Sequence, residues 1–344
     1  MLEAGELRAA VEAGVLDAQQ ADRLAAFLAS RGGAAESTDP DDERFKLIGG
    51  FNDIFVTLGI GLVVGAMAFA LKSAQELPYA GVALAWALAE VFTRRFRMAL
   101  PSIVLAFLFA VSALGVAGLW LSGSTSPTLL RYGDFASVIA LIGAVCAALH
   151  YWRFRVPVDV GIATALLLAA AAALLDFAAP GFVGANSGAV ALVCGLAAFA
   201  FAMRFDLSDP RRVTHRSDVA FWLHLVAAPL VAHGTLAGVI GASRTGEHAG
   251  EVLLVTLAFT LVALIVDRRA LIVSALTYAG GAIAYILKGL NLGGRESESL
   301  TITILLLGAA ILLLSVGWRW LRALIVPRLP LGALVARLPP IHAA

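Results

Sequence analysis

Of the 344 residues, 60% are apolar and 14% charged, well below the roughly 25% charged of soluble domains. Twenty-five Lys and Arg against 24 Asp and Glu give a formal net charge of +1. Such a chain must be solvated mostly by lipid. It has no room for a sizeable soluble catalytic domain, and its arginines sit where membrane topology alone would place them, so nucleic acid is not an expected partner.

Residues 1–31 are expected to form a cytoplasmic helical hairpin. Leu2, Leu7 and Val11 mark an apolar stripe that should stop near Gly14, which tolerates the left-handed C-terminal position. A second helix should begin after Asp17, an N-cap with Gln20 three residues on, and present Leu24, Phe27 and Leu28 on one side. A hairpin this short needs a surface to dock on: the loops of its own chain, a second copy in a homo-oligomer, or a protein partner. Residues 32–46 read as an acidic, flexible linker. No positively charged leader with an apolar core and cleavage site precedes it, so no signal peptide is expected.

Residues 47–322 carry ten apolar stretches: Phe51 to Leu71, Pro78 to Arg97, Leu100 to Leu121, Phe135 to Trp152, Pro157 to Ala178, Val183 to Met203, Asp218 to Ala242, Gly250 to Val266, Arg269 to Lys288 and Ser299 to Trp320. Each approaches the roughly 20 helical residues that cross about 30 Å of hydrocarbon. The expected fold is all-α, a polytopic bundle of about ten transmembrane helices. Seventeen Lys and Arg flank alternate ends of these stretches, at Arg44, Lys46, Arg94, Arg95, Arg97, Arg153, Arg155, Arg204, Arg211, Arg212, Arg216, Arg268, Arg269, Arg319, Arg322, Arg328 and Arg337. The intervening gaps hold five: Lys72, Arg131, Arg244, Lys288 and Arg295. Because basic loops are retained in the cytoplasm, both termini are expected there, with residues 323–344 as a cytoplasmic tail.

The basic groups recur. Taking Arg94, Arg153, Arg211, Arg268 and Arg319 as markers gives gaps of 59, 58, 57 and 51 residues, a pattern of five helical hairpins. Small residues (Gly61 with Gly65, Gly234 with Gly238, Gly280 with Gly281, Ala169 to Ala173) suit close helix contact, and Trp120, Trp152, Trp222, Trp318 and Trp320 suit the interfacial belts. Cys146 and Cys194 lie inside spans and have no disulfide or metal spacing.

Polar residues inside the spans are the candidates for a solute or proton pathway, because each is costly in lipid. In the seventh span His224 and His233 bracket Pro229, whose missing amide frees the carbonyl of Leu225. Nine residues apart, the imidazoles fall on opposite faces of a straight helix, so no metal site is expected. Asn52 and Asp53 stand at the entrance of the first span, where helix capping competes with a site role. Glu90 precedes Arg94 by four residues, the spacing of a helical ion pair. Tyr278 and Tyr285, beside Gly280 and Gly281, would line a cavity or simply pack. Phosphate-loop, zinc-protease, nucleophile-elbow and dinucleotide motifs are absent, so no cofactor is expected and the chain leans away from being an enzyme.

The N-terminal GVLDAQQADRL, the acidic linker, GGFNDIF, DVAFWLHLVAAPLVAH and SVGWRWLRALIVPRLP together resemble a group of bacterial predicted membrane proteins of unknown function. The resemblance covers most of the chain and implies a multi-span protein of the bacterial inner (plasma) membrane. It brings no substrate with it. Two functions follow from the residues: a small-solute permease, slightly favoured, or a non-transporting sensor, scaffold or assembly factor acting through the N-terminal hairpin.

Overall fold

A computed structural model of the protein describes residues 11, 13–14, 17–24, 51–71, 75–122, 132–210, 212, 214–240, 248–290, 296–330 and 338–339. The linker 32–46, Leu2, Leu7, Phe27 and Leu28 of the hairpin, and Arg44, Lys46, Lys72, Arg131, Arg211, Arg244, Arg295 and Arg337 lie outside these residues. Residues Met1–Glu43 and Arg44–Ala344 form two compact units.

In the first unit the backbone turns at Gly14 with φ +67°, a conformation glycine adopts without a Cβ penalty. The Asp17 carboxylate then accepts the amide of Gln19 at 2.8 Å, while Gln20 Oε1 accepts the amide of Asp17 at 3.1 Å. These reciprocal bonds satisfy amides at the start of the helix over 18–24 and realise the capping expected from the sequence.

The second unit is all-α, with no strand among the described residues. Its long helices are α1 (Phe51–Ala70), α2 (Glu76–Ala89), α3 (Ala99–Ser122), α4 (Tyr132–Phe154), α5 (Pro157–Ala178), α6 (Ser187–Asp206), α7 (His215–Ile240), α8 (Ala249–Val266), α9 (Ala270–Gly289) and α10 (Glu296–Ile325). Helices satisfy every backbone group internally, as hydrocarbon demands. Among the described residues eight are long and apolar enough to cross a membrane: α1, α3 to α8, and α10. The chain is thus a polytopic helical bundle. The other two expected spans correspond to α2, 14 residues prolonged by a π-helical turn over Glu90–Arg95, and to α9, whose apolar stretch is the shorter Ile272–Lys288.

The basic connections share one backbone feature. The four basic turns each contain one non-glycine residue with positive φ: Arg97 (52°), Arg155 (58°), Arg212 (51°) and Asp267 (61°). Left-handed backbone costs such residues about 1 kcal/mol or more, but it reverses the chain within a few residues. Helices joined by these turns (α2 with α3, α4 with α5, α6 with α7, α8 with α9) consequently pack most intimately. The odd helices then touch in sequence, α1 to α3, α3 to α5, α5 to α7 and α7 to α9, and the even helices flank that row.

Among the described residues five apolar clusters form, and two of them lie in different halves of the bundle. One gathers Ile60, Ala89, Leu105, Phe154 and Val158 from α1 to α5, and Trp222 of α7 joins it. The other gathers Ala228, Ala263, Leu264, Ile272 and Trp318 from α7 to α10. Trp222 and Trp318 are therefore core residues, 8% and 1% exposed, rather than the interfacial rings expected; Trp120, Trp152 and Trp320 are exposed. Glycine matters most between α6 and α7. A Cβ on Gly195 would stand 2.6 Å from the amide nitrogen of Val231, and one on Gly234 would collide with the backbone of Leu192 and Gly188. Lipid gives helices no hydrophobic drive to associate, so backbone-close packing supplies the attraction. Gly61 and Gly65, by contrast, have open space where a Cβ would be.

Candidate functional site

Asp206 is the last residue of α6 and is buried. A carboxylate there meets the negative end of the helix dipole, so its partners must compensate. Arg268, in the turn between α8 and α9, grips it with a two-pronged guanidinium: Nη2 to Oδ1 at 2.6 Å and Nε to Oδ2 at 3.2 Å. His224 of α7 approaches the same Oδ2 through Nε2 at 2.7 Å. Arg268 Nη2 also donates to the carbonyl of Ser217 at 3.1 Å, tying the start of α7 to the cluster. Three helical segments therefore meet on one carboxylate, and His224 Nδ1 is buried without a hydrogen-bond partner.

One residue away lies a second node. Asp267 ends α8 in the left-handed conformation, and its Oδ2 accepts Arg212 Nη1 at 2.9 Å while Oδ1 accepts Trp318 Nε1 at 2.7 Å. Arg212 Nη2 reaches back to the carbonyl of Asp267 at 2.7 Å, which helps offset the strained turn. Arg322 of α10 stands 3.4 Å from the same carboxylate. A different pair occupies the other half of the bundle. His150 of α4 and Asp159 of α5 meet at 2.7 Å, 0% and 1% exposed, with the rings of Trp86, Phe109 and Phe154 around the imidazole. His150 Nε2 is buried and unpartnered as well. Gly161 of α5, two residues after Asp159, lies against Trp222 of α7, two residues before His224.

The residues singled out in the sequence are distributed unequally. His224 joins Asp206, which Arg268 also holds. His233 is exposed and bonds Tyr278 of α9 through Nδ1 at 2.8 Å, so two sequence candidates do meet. The helix runs on through Pro229, with one histidine buried and the other exposed as the nine-residue spacing implies. Tyr285 is exposed, as is Asn52. Asp53 is buried and its Oδ2 accepts the amide of Ala99 at 3.2 Å, reaching across to the first turn of α3. Glu90 pairs with Arg94 at 3.2 Å and, from another helix, with Arg153 at 2.6 Å. Among the described residues no three His, Cys, Asp or Glu side chains converge on a metal geometry.

Asp206, Arg268, His150 and Asp159 do not stand out in the sequence, because they lie in or beside the basic turns that membrane topology alone accounts for. A usable signal was present nonetheless: Asn52-Asp53-Ile54, Val158-Asp159-Val160 and Ser217-Asp218-Val219 place an acid in the first turn of three odd-numbered helices, and Arg153-Phe154-Arg155 is echoed by Arg204-Phe205-Asp206. The geometry defines the chain as an integral membrane protein with charged groups sealed inside its helix bundle. Compared with protein-family models, curated proteins and solved structures, the chain matches none.

Proposed function

We propose that the chain is a proton-coupled small-solute permease of the bacterial inner membrane, with both termini cytoplasmic and Asp206 as its proton-exchange group. One observation carries this reading: a single buried carboxylate is shared by an imidazole and a guanidinium contributed by separate segments. Asp206 closes a membrane-spanning helix, and ionisable residues buried between such helices mark ion and proton pathways. A proton arriving on Asp206 removes the charge that holds Arg268, and the α8–α9 turn is then free to part from α6. His224 Nδ1 offers the next acceptor along α7, toward Pro229 and the His233–Tyr278 pair. The coupling is electrostatic: neutralising one carboxylate releases its guanidinium partner.

The test is proton flux into proteoliposomes under a potassium diffusion potential, followed with a trapped pH dye. Asp206→Asn should abolish the flux and His224→Gln should slow it. Wild-type flux from Asp206→Asn protein would overturn the proposal. A sensor or scaffold role draws support from the hairpin unit Met1–Glu43; loss of function on deleting that unit, with flux intact, would favour it.

A further inference from the structure

The last described residues of the chain return to the basic end of the bundle. Leu338 is 5% exposed and Pro339 is buried, although they follow α10 by more than a dozen residues. The carbonyl of Pro339 accepts Arg322 Nη2 at 3.0 Å. The same guanidinium donates Nε to the carbonyl of Leu264, in the last turn of α8, at 2.9 Å. Its Nη1 faces Asp267 Oδ2. Arg322 is 5% exposed, so each of these bonds replaces water that the burial has removed. Arg322 is thus a bracket with the tail on one prong and the end of α8 on the others, and the residue after Asp267 is Arg268, the cationic partner of Asp206.

We infer that Leu338 and Pro339 form an autoinhibitory strap that holds the α8–α9 turn, and with it Arg268, against Asp206. The inference rests on the permease reading and names the regulation of its site. With the strap seated, Arg322 ties Pro339 to Leu264 and Asp267 and fixes the C-terminal turn of α8. Displacing it takes one acceptor from the buried Arg322 guanidinium, which loosens Arg322 from Leu264 and frees the turn to leave Asp206. A charged residue in place of Leu338 would unseat the strap without touching any group of the Asp206 cluster.

The experiment uses the full chain in proteoliposomes, in a background with Cys146→Ala and Cys194→Ala. Pro339→Cys, which keeps the backbone carbonyl, reports whether the strap is seated through its rate of reaction with a membrane-impermeant maleimide. It should label at least about tenfold more slowly than Arg328→Cys, at an exposed position just beyond α10, because labelling requires local opening. Adding Leu338→Asp should remove that protection and raise proton flux under the same diffusion potential. Equal labelling of the two cysteine variants would show that no strap is seated and overturn the inference. Released protection with unchanged, Asp206-dependent flux would overturn it while sparing the permease reading. Absence of flux from parent and Leu338→Asp protein alike would overturn both.

Discussion

Asp206 and Arg268 are 62 residues apart in sequence and form a two-pronged ion pair, 2.6 Å at its shorter contact, with both side chains 3% exposed. The pair joins the end of α6 to the turn between α8 and α9. Breaking such a pair from one side leaves an uncompensated charge in the bundle. Arg268→Ala and Asp206→Ala are each expected to destabilise by about 3 to 5 kcal/mol, and removing both together should cost less than the sum. Thermal melting in detergent checks this; a single variant that melts with the wild type would show that the pair contributes nothing.

Close packing of α6 on α7 predicts a contrast between glycines. Gly234→Ala and Gly195→Val force backbone apart and should destabilise by about 1 to 3 kcal/mol, as overpacking does. Gly61→Ala, where the space is open, should be neutral or slightly stabilising through helix propensity. Matching melting curves for all three would contradict the contact between α6 and α7.

The histidines of α7 should behave differently from each other. His224→Ala leaves Asp206 short of one donor in a buried place and should cost about 1 to 3 kcal/mol in addition to its effect on flux. His233→Ala, at an exposed position, should leave stability within about 0.5 kcal/mol, and any effect should appear in flux alone. Equal destabilisation by the two would be evidence against their different burial.

Reporter fusions test the orientation. Fusions after Ala34, in the loop from Phe205 to Arg216 and after Ala344 should report from the cytoplasm, and fusions within Ser122 to Ser126 from the opposite side. An external signal from either terminus would reverse the orientation and move the Asp206 cluster to the other face of the membrane.

Much of the fold was legible because its causes are local. Hydrocarbon leaves the backbone no partner except itself, so apolar runs become helices, and the capping at Asp17 and Gln20 needs residues only three apart. The ion pair of Glu90 with Arg94 was readable for the same reason, whereas its second bond, to Arg153, joins residues 63 apart and was not. Trp222 and Trp318 illustrate the limit from the apolar side. Their sequence positions suit interfacial rings, where an amphipathic side chain fits the headgroup level, yet neighbouring helices bury them.

The sequence by itself determined that this is a polytopic helical membrane protein with basic groups recurring at alternate connections, because composition and hydrophobic run length act residue by residue. Tertiary structure alone decided which charges would be sealed inside. Asp206 meets Arg268, and Asp267 meets Arg212, through turns whose left-handed residues and glycine-close helix contacts set the register between distant segments. An arginine beside a turn looks the same in sequence whether it snorkels to water or crosses to a carboxylate. Only the packing of the surrounding helices separates the two.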